Sequence, residues 1–156
     1  MWPRAYAPRE YDGPVLIIRE SEQERVEWRP GVMSRLHAGG SLGTERLCVV
    51  EQWHEPGRGA PTHVHTGVEE LLMVLDGEAE VWIEGERATV DADNTVVVPA
   101  SARHGFTNSG ARTLHILAVL SAAEPPVEYE EEPGTVLAIA GRGDVRRDVH
   151  RAVRST

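Results

Sequence analysis

With 156 residues, 25 acidic against 16 basic side chains and a formal net charge of −9, the chain has the length of one domain that needs no disulfide staples. Its acidity argues against nucleic acid or an anionic membrane as partner. Every basic residue other than histidine is arginine, which excludes a Schiff base on lysine and a lysine general base.

The opening MWPRAYAPRE has no apolar leader core, and no later run approaches the length of a membrane span. A cytoplasmic protein is the expectation. Residues 1–14 carry Pro3, Pro8, Gly13 and Pro14 and read as an irregular arm, with a β-barrel expected over 15–121. VLIIRE at 15–20 reads as a strand. RVEWR (25–29) and VMSRL (32–36), split by Pro30-Gly31, read as a hairpin, and His37 to Gly43 as a connecting loop.

In RLCVVEQWH (46–54), Leu47, Val49, Glu51 and Trp53 share one face and Cys48, Val50, Gln52 and His54 the other. Both faces carry apolar residues, so the alternation leaves open whether Glu51 or Gln52 points inward. Cys48, the single cysteine, closes no internal disulfide and reads as a buried apolar filler. His54 precedes Glu55-Pro56-Gly57 and reads as a surface histidine.

The next stretch, GRGAPTHVHTGVEELLMVLDG (57–77), holds the chemistry. On a strand His63 and His65 project to the same face, about 7 Å apart along it, and can lean toward one ion. Glu70 opens the apolar run ELLMVLDG, and a return through Thr66 and Gly67 would carry its carboxylate back beside the pair. EAEVWIEGERATV follows, with Ala79, Val81 and Ile83 alternating against Glu78, Glu80, Trp82 and Glu84: a half-buried hairpin turning at Gly85. Trp82 on the wet face predicts a covered surface, such as a subunit contact. Asp91-Ala92-Asp93-Asn94 reads as a turn, TVVVP leads into PASARHGFTN (99–108), and His104 must reach the first pair from a distant strand. Phe106 and Asn108 share the face of His104. TLHILAVL (113–120) is the last clear strand; its His115 reads as a hydrogen-bonded core histidine, with a pocket acid or base as the alternative. Gln52, Phe106 and His115 are thus the pocket candidates.

The spacing G-x5-H-x-H-x4-E-x6-G from Gly57, followed by P-x4-H-x3-N from Pro99, resembles the two signature motifs of the cupin family. The resemblance implies an all-β, antiparallel jelly-roll barrel with one divalent metal on His63, His65, Glu70 and His104, and Asn108 as a framework residue. Asp93 and Ser101 stand where the family favours glycine, at positions that ask for positive φ. Three imidazoles and a carboxylate suit Fe, Mn, Ni, Co, Cu or Zn and disfavour Ca or Mg.

A four-ligand site retains about one positive charge and open positions, which favours an enolate, phenolate or carboxylate ligand. A metal-dependent dioxygenase acting on a small molecule is the leading expectation, with Glu70 also a candidate base. A non-redox isomerase, lyase, decarboxylase or cyclase, or a non-catalytic binding module, are the alternatives. The resemblance also implies a homodimer. Residues 122–156 read as an extension outside the barrel, acidic and then arginine-rich, with a terminal helix capped by Asp144.

Overall fold

Short segments of alternating apolar and polar side chains build nearly every element. The computed structural model describes residue 13, residues 15–133 and residues 136–138; the arm over the first positions and the helix expected from Asp144 lie outside them. Twelve strands run in order among the described residues: β1 (Val26–Arg29), β2 (Val32–Ala38), β3 (Cys48–His54), β4 (Gly59–Val64), β5 (Glu70–Asp76), β6 (Glu78–Ile83), β7 (Glu86–Asp91), β8 (Thr95–Val98), β9 (His104–Asn108), β10 (Leu114–Leu120), β11 (Pro126–Tyr129) and β12 (Val136–Ala138). They form two six-stranded antiparallel sheets, β1-β2-β3-β10-β5-β8 and β12-β11-β4-β9-β6-β7, in the jelly-roll manner.

The core follows from period two. In β10, Leu114, Ile116, Ala118 and Leu120 turn inward, and Cys48 and Val50 of β3 and Leu72 and Val74 of β5 do the same beside them. Ala79, Val81 and Phe106 meet them from the second sheet. β3 and β10 pair over seven residues, from Leu114 opposite His54 to Leu120 opposite Cys48. The two hairpins expected around Pro30-Gly31 and Gly85 are present as β1/β2 and β6/β7.

Three expectations require correction. VLIIRE forms no strand: Val15, Leu16 and Ile17 stand 84, 63 and 66% exposed, and a 3₁₀ turn follows at Glu20–Glu22. A β-branched run needs a partner to become a strand, and the ladder of the first sheet begins only at β1. The loop expected from His37 starts later, since β2 runs through Ala38 with a bulge after Leu36. Past Ser121 the chain does not leave the barrel. β11 pairs with β4, Glu128 opposite Val64 and Tyr129 opposite His63, and buries Val127 and Tyr129. The carboxylates of EYEEE mask this alternation in the sequence.

Asp93 and Ser101 do adopt left-handed backbone, with φ of 67° and 63°. Trp82 is covered from within the chain. Its Nε1 donates to Thr62 Oγ1 at 2.9 Å, and the Arg87 guanidinium lies 5.0 Å from its ring centroid. Among the described residues no helix is long and apolar enough to cross a membrane.

Candidate metal centre

Two adjacent strands and the start of a third bring the four motif side chains together. His63 lies in β4 directly opposite His104 of β9, His65 follows just past the end of β4, and Glu70 opens β5. The close approach of β4 and β9 depends on glycine. A Cβ on Gly59 would meet the Phe106 carbonyl oxygen at 1.9 Å, and one on Gly105 would meet the Trp82 ring at 2.5 Å and the Ala60 carbonyl oxygen at 2.7 Å. The turn joining His65 to Glu70 is tied down from the second motif. Gly67 N donates to Ser101 Oγ at 2.8 Å, and Ser101 N donates to the His65 carbonyl at 3.2 Å. Serine thus supplies a tether that glycine would lack.

All four side chains are buried, and their candidate ligand atoms lie within 4.8 Å of one another. Each imidazole meets a backbone carbonyl through Nδ1: His63 that of Pro61 at 2.7 Å, His65 that of Pro126 at 2.6 Å, and His104 that of Ala102 at 2.9 Å. A carbonyl only accepts, so each Nδ1 carries the proton and each Nε2 keeps its lone pair in the neutral ring. This is the orientation in which a metal-binding histidine is normally held.

With those tautomers, His104 Nε2 faces Glu70 Oε2 at 2.8 Å and His65 Nε2 faces it at 3.6 Å. Acceptors opposed in this way are reconciled either by a metal ion between them or by a second proton on the His104 ring, which then donates to Glu70. Burial disfavours the charged form of His104, but the hydrogen bond and charge of Glu70 outweigh it and raise its pKa. Burial, reinforced by the charges of His104 and His65, holds His63 well below the ordinary histidine value; burial also lowers His65. Three inward lone pairs and one carboxylate therefore fit a divalent transition metal in both charge and donor type.

The cluster opens on a cavity of about 240 Å³. His63, His65 and Glu70 form one part of its wall; Leu36, Val50, Leu72, Phe106 and Ala118 line it with apolar surface. Gln52 also lines it, its Nε2 donating to Ser34 Oγ at 3.0 Å. The question between Glu51 and Gln52 is thereby resolved, with Glu51 on the outer face of the sheet. There Glu51 accepts from Arg35 Nη2 at 2.6 Å, His37 Nε2 at 2.6 Å and His115 Nε2 at 2.7 Å.

His115 accordingly does not line the cavity. It stacks on Trp53 with centroids 5.0 Å apart, because odd positions of β10 face outward. His54 differs from expectation in the opposite sense: it is 1% exposed and lines the cavity. Its alternation with Cys48 and Val50 carried that signal. Burial pushes the Cys48 thiol, helped by the charge of Glu70, up to about 12, consistent with a packing role.

A bridge that the sequence did not signal joins β1, the edge of the first sheet, to β11 of the second. Trp28 Nε1 donates to Tyr129 Oη at 3.4 Å, and Arg29 pairs with Glu131 at 2.8 Å while lying 4.1 Å from the Tyr129 ring centroid. Trp28, Arg29 and Tyr129 line the cavity. Trp28 and Arg29 lie in β1 and Tyr129 in β11, and both strands fall outside the family motifs.

A family model described as "Cupin domain" matches residues 52–120. Polyketide synthase CurC of Streptomyces cyaneus is 33% identical over 115 residues, 71% of this chain and 71% of the relative. Quercetin 2,3-dioxygenase of Bacillus subtilis is 29% identical over 97 residues, 62% of this chain and 28% of the relative. Among solved structures, KdgF from Halomonas sp. superposes with a TM-score of 0.58 at 23% identity, over 70% of this chain and 94% of that one. A sugar phosphate isomerase of Silicibacter pomeroyi superposes with a TM-score of 0.63 at 18% identity, over 78% and 85%.

Proposed function

The chain belongs to the cupin family, and from that premise we propose that it is a metal-dependent enzyme acting on a small enolic or phenolic molecule, in a dioxygenase-type oxidation. The observation that carries this reading is the convergence of three Nδ1-anchored imidazoles and Glu70 at a cavity whose wall mixes apolar and polar side chains. His63, His65, Glu70 and His104 would hold one ion of Fe, Mn, Ni, Co, Cu or Zn. Such an ion supplies Lewis acidity toward an oxygen donor and, if redox-active, a means of pairing substrate with dioxygen.

The protein's own residues do the rest. The apolar part of the wall, Leu36, Val50, Leu72, Phe106 and Ala118, would pack against a planar molecule at the cluster. Arg29 stands in the cavity wall beside Tyr129, with its charge paired to Glu131 at 2.8 Å. Glu70 would also take a proton from a hydroxyl arriving at the cluster. The names of two relatives share a chemistry, since polyketide carbonyls enolise and quercetin is an enolic polyphenol.

A second reading, non-redox ring closure or isomerisation, draws support from the polyketide synthase relative, which is matched over 71% of its length. Oxygen uptake by the iron- or manganese-loaded protein with quercetin and with a 1,3-diketone separates the two. Oxygen consumed in step with substrate is expected, and Glu70→Gln, compared with the wild type at equal measured metal content, should lose at least tenfold in kcat. Equal conversion under anaerobic conditions with zinc would favour the second reading, and catalysis intact in Glu70→Gln would remove the base role.

A further inference from the structure

The inner face of the first sheet carries a polar pair where packing alone asks for apolar side chains. Ser34 of β2 and Gln52 of β3 stand directly opposite one another, and Gln52 is in turn opposite Ile116 of β10. Their neighbours on the same face, Leu36 and Val50, belong to the apolar core. Burying a hydroxyl and an amide among such groups is costly unless their hydrogen bonds are made. Gln52 Nε2 donates to Ser34 Oγ at 3.0 Å, which uses only part of what the two can offer: the serine proton, the second amide N–H and Gln52 Oε1 remain. Ser34 is 6% exposed, and both side chains line the cavity. Among the described residues Oε1 has no protein partner, yet it is not sealed off as the ring nitrogens of His54 are. It therefore opens on the cavity.

Strand register fixes where this pair lies. Gln52 shares a cross-strand row with Ile116, and Glu70 shares one with Leu120. From Glu70 the pair is thus four residues along the strands and two strands across, about 14 Å and about 10 Å at the Cα atoms. The row between them, Leu36, Val50, Ala118 and Leu72, is apolar throughout and lines the cavity. Phe106 lines it from the second sheet. The cavity is therefore polar at the metal cluster, apolar in the middle and polar again at Ser34 and Gln52. Side chains reaching in from both ends leave roughly 10 Å to be spanned.

We propose that Ser34 and Gln52 form the far end of the ligand site and bind a hydroxyl group of a molecule whose nearer oxygen meets the metal cluster. This rests on the function proposed above and narrows its substrate class to a flat, two-ring or similarly sized conjugated molecule with hydroxyls at opposite ends. A hydroxyl both donates and accepts, so it answers Gln52 Oε1 and the serine proton together, and it does so whichever way the amide is turned. A ligand with a bare ring edge at that end would displace water from Oε1 and supply no donor in its place, which weakens binding.

The test compares 2,6-dihydroxynaphthalene with 2-naphthol, which lacks the distal hydroxyl, by calorimetric titration into the zinc-loaded protein and its Ser34→Ala/Gln52→Met double variant. Metal content is measured on the same samples. The wild type should bind the dihydroxy probe about tenfold more tightly than 2-naphthol, and the double variant should bind the two within about twofold. Replacing both partners leaves no orphaned polar group, so the Tm of the double variant should match or exceed that of the wild type, where a pair kept for stability alone would lower it. Gln52→Met alone provides the same affinity comparison if the double variant does not fold.

An affinity gap that persists in the variant, a gap absent from the wild type, or failure of both probes to bind overturns the proposal. The same titrations into metal-free protein separate the polar pair from the metal cluster. A gap that depends on Ser34 and Gln52 supports the pair even where zinc fails to load. Binding of 2-naphthol that requires zinc, with no gain from the second hydroxyl, removes the pair and leaves the metal reading standing.

Discussion

Glu51 is a carboxylate whose facing the sequence left open and whose role in the fold is structural. Burial raises its pKa, yet hydrogen bonds from His37, Arg35 and His115 outweigh this and bring it down to about 2. Between pH 4.5 and 2 the unfolded chain takes up a proton at this position that the folded chain refuses. The stabilisation is therefore complete above about pH 4.5 and is lost as pH falls toward 2, on the order of 3 kcal/mol for a carboxylate only 8% exposed. Chemical denaturation across that range should show the wild type losing stability more steeply than Glu51→Gln. Parallel curves for the two proteins would contradict the assignment. At the same scale, the period-two argument could not choose between Glu51 and Gln52, because the outer face also carries an aromatic. Trp53 is sheltered there by Arg25, whose guanidinium lies 3.7 Å from its ring centroid, so apolar content did not mark the interior.

Among the elements, the β4/β9 pair positions most of the centre, since it carries His63 and His104 opposite one another and packs through glycine. Gly105→Ala would press a methyl group against the Ala60 carbonyl and the Trp82 ring. A backbone carbonyl has little room to yield, so a loss of about 1–3 kcal/mol is expected, along with weaker metal binding as His104 is displaced. Thermal denaturation and metal titration of the variant check this; both unchanged would mean that the strands have slack. The motif spacing made this pair legible, and the glycine-preferring turns at Asp93 and Ser101 were legible by the same means. β11 was not, because Glu128 and Glu130 alternate with buried Val127 and Tyr129 in a run that reads as a solvated acidic tail. Pro126, whose carbonyl fixes the His65 tautomer, could not be found by side-chain chemistry at all, since a backbone acceptor leaves no mark on residue type. VLIIRE failed in the reverse direction: β propensity was present and a partner strand was not.

For the whole molecule, the jelly roll matters because it places ligands from distant parts of the chain around one interior point. β5 of the first sheet delivers Glu70, while β4 and β9 of the second deliver the histidines. Their spacing was readable in the sequence because the family motifs span those strands. The cavity beyond them was readable only in part: Gln52 and Phe106 line it, His115 does not, and His54, Tyr129, Trp28 and Arg29 had to be located by the fold. The cluster is expected to hold one transition metal. The most direct test is the metal content of the full-length protein after loading and exhaustive dialysis, beside His63→Ala and His104→Ala. Close to one ion per chain is expected in the wild type, and affinity lowered by at least tenfold in each variant. Equal metal, or none, in all three proteins would contradict it.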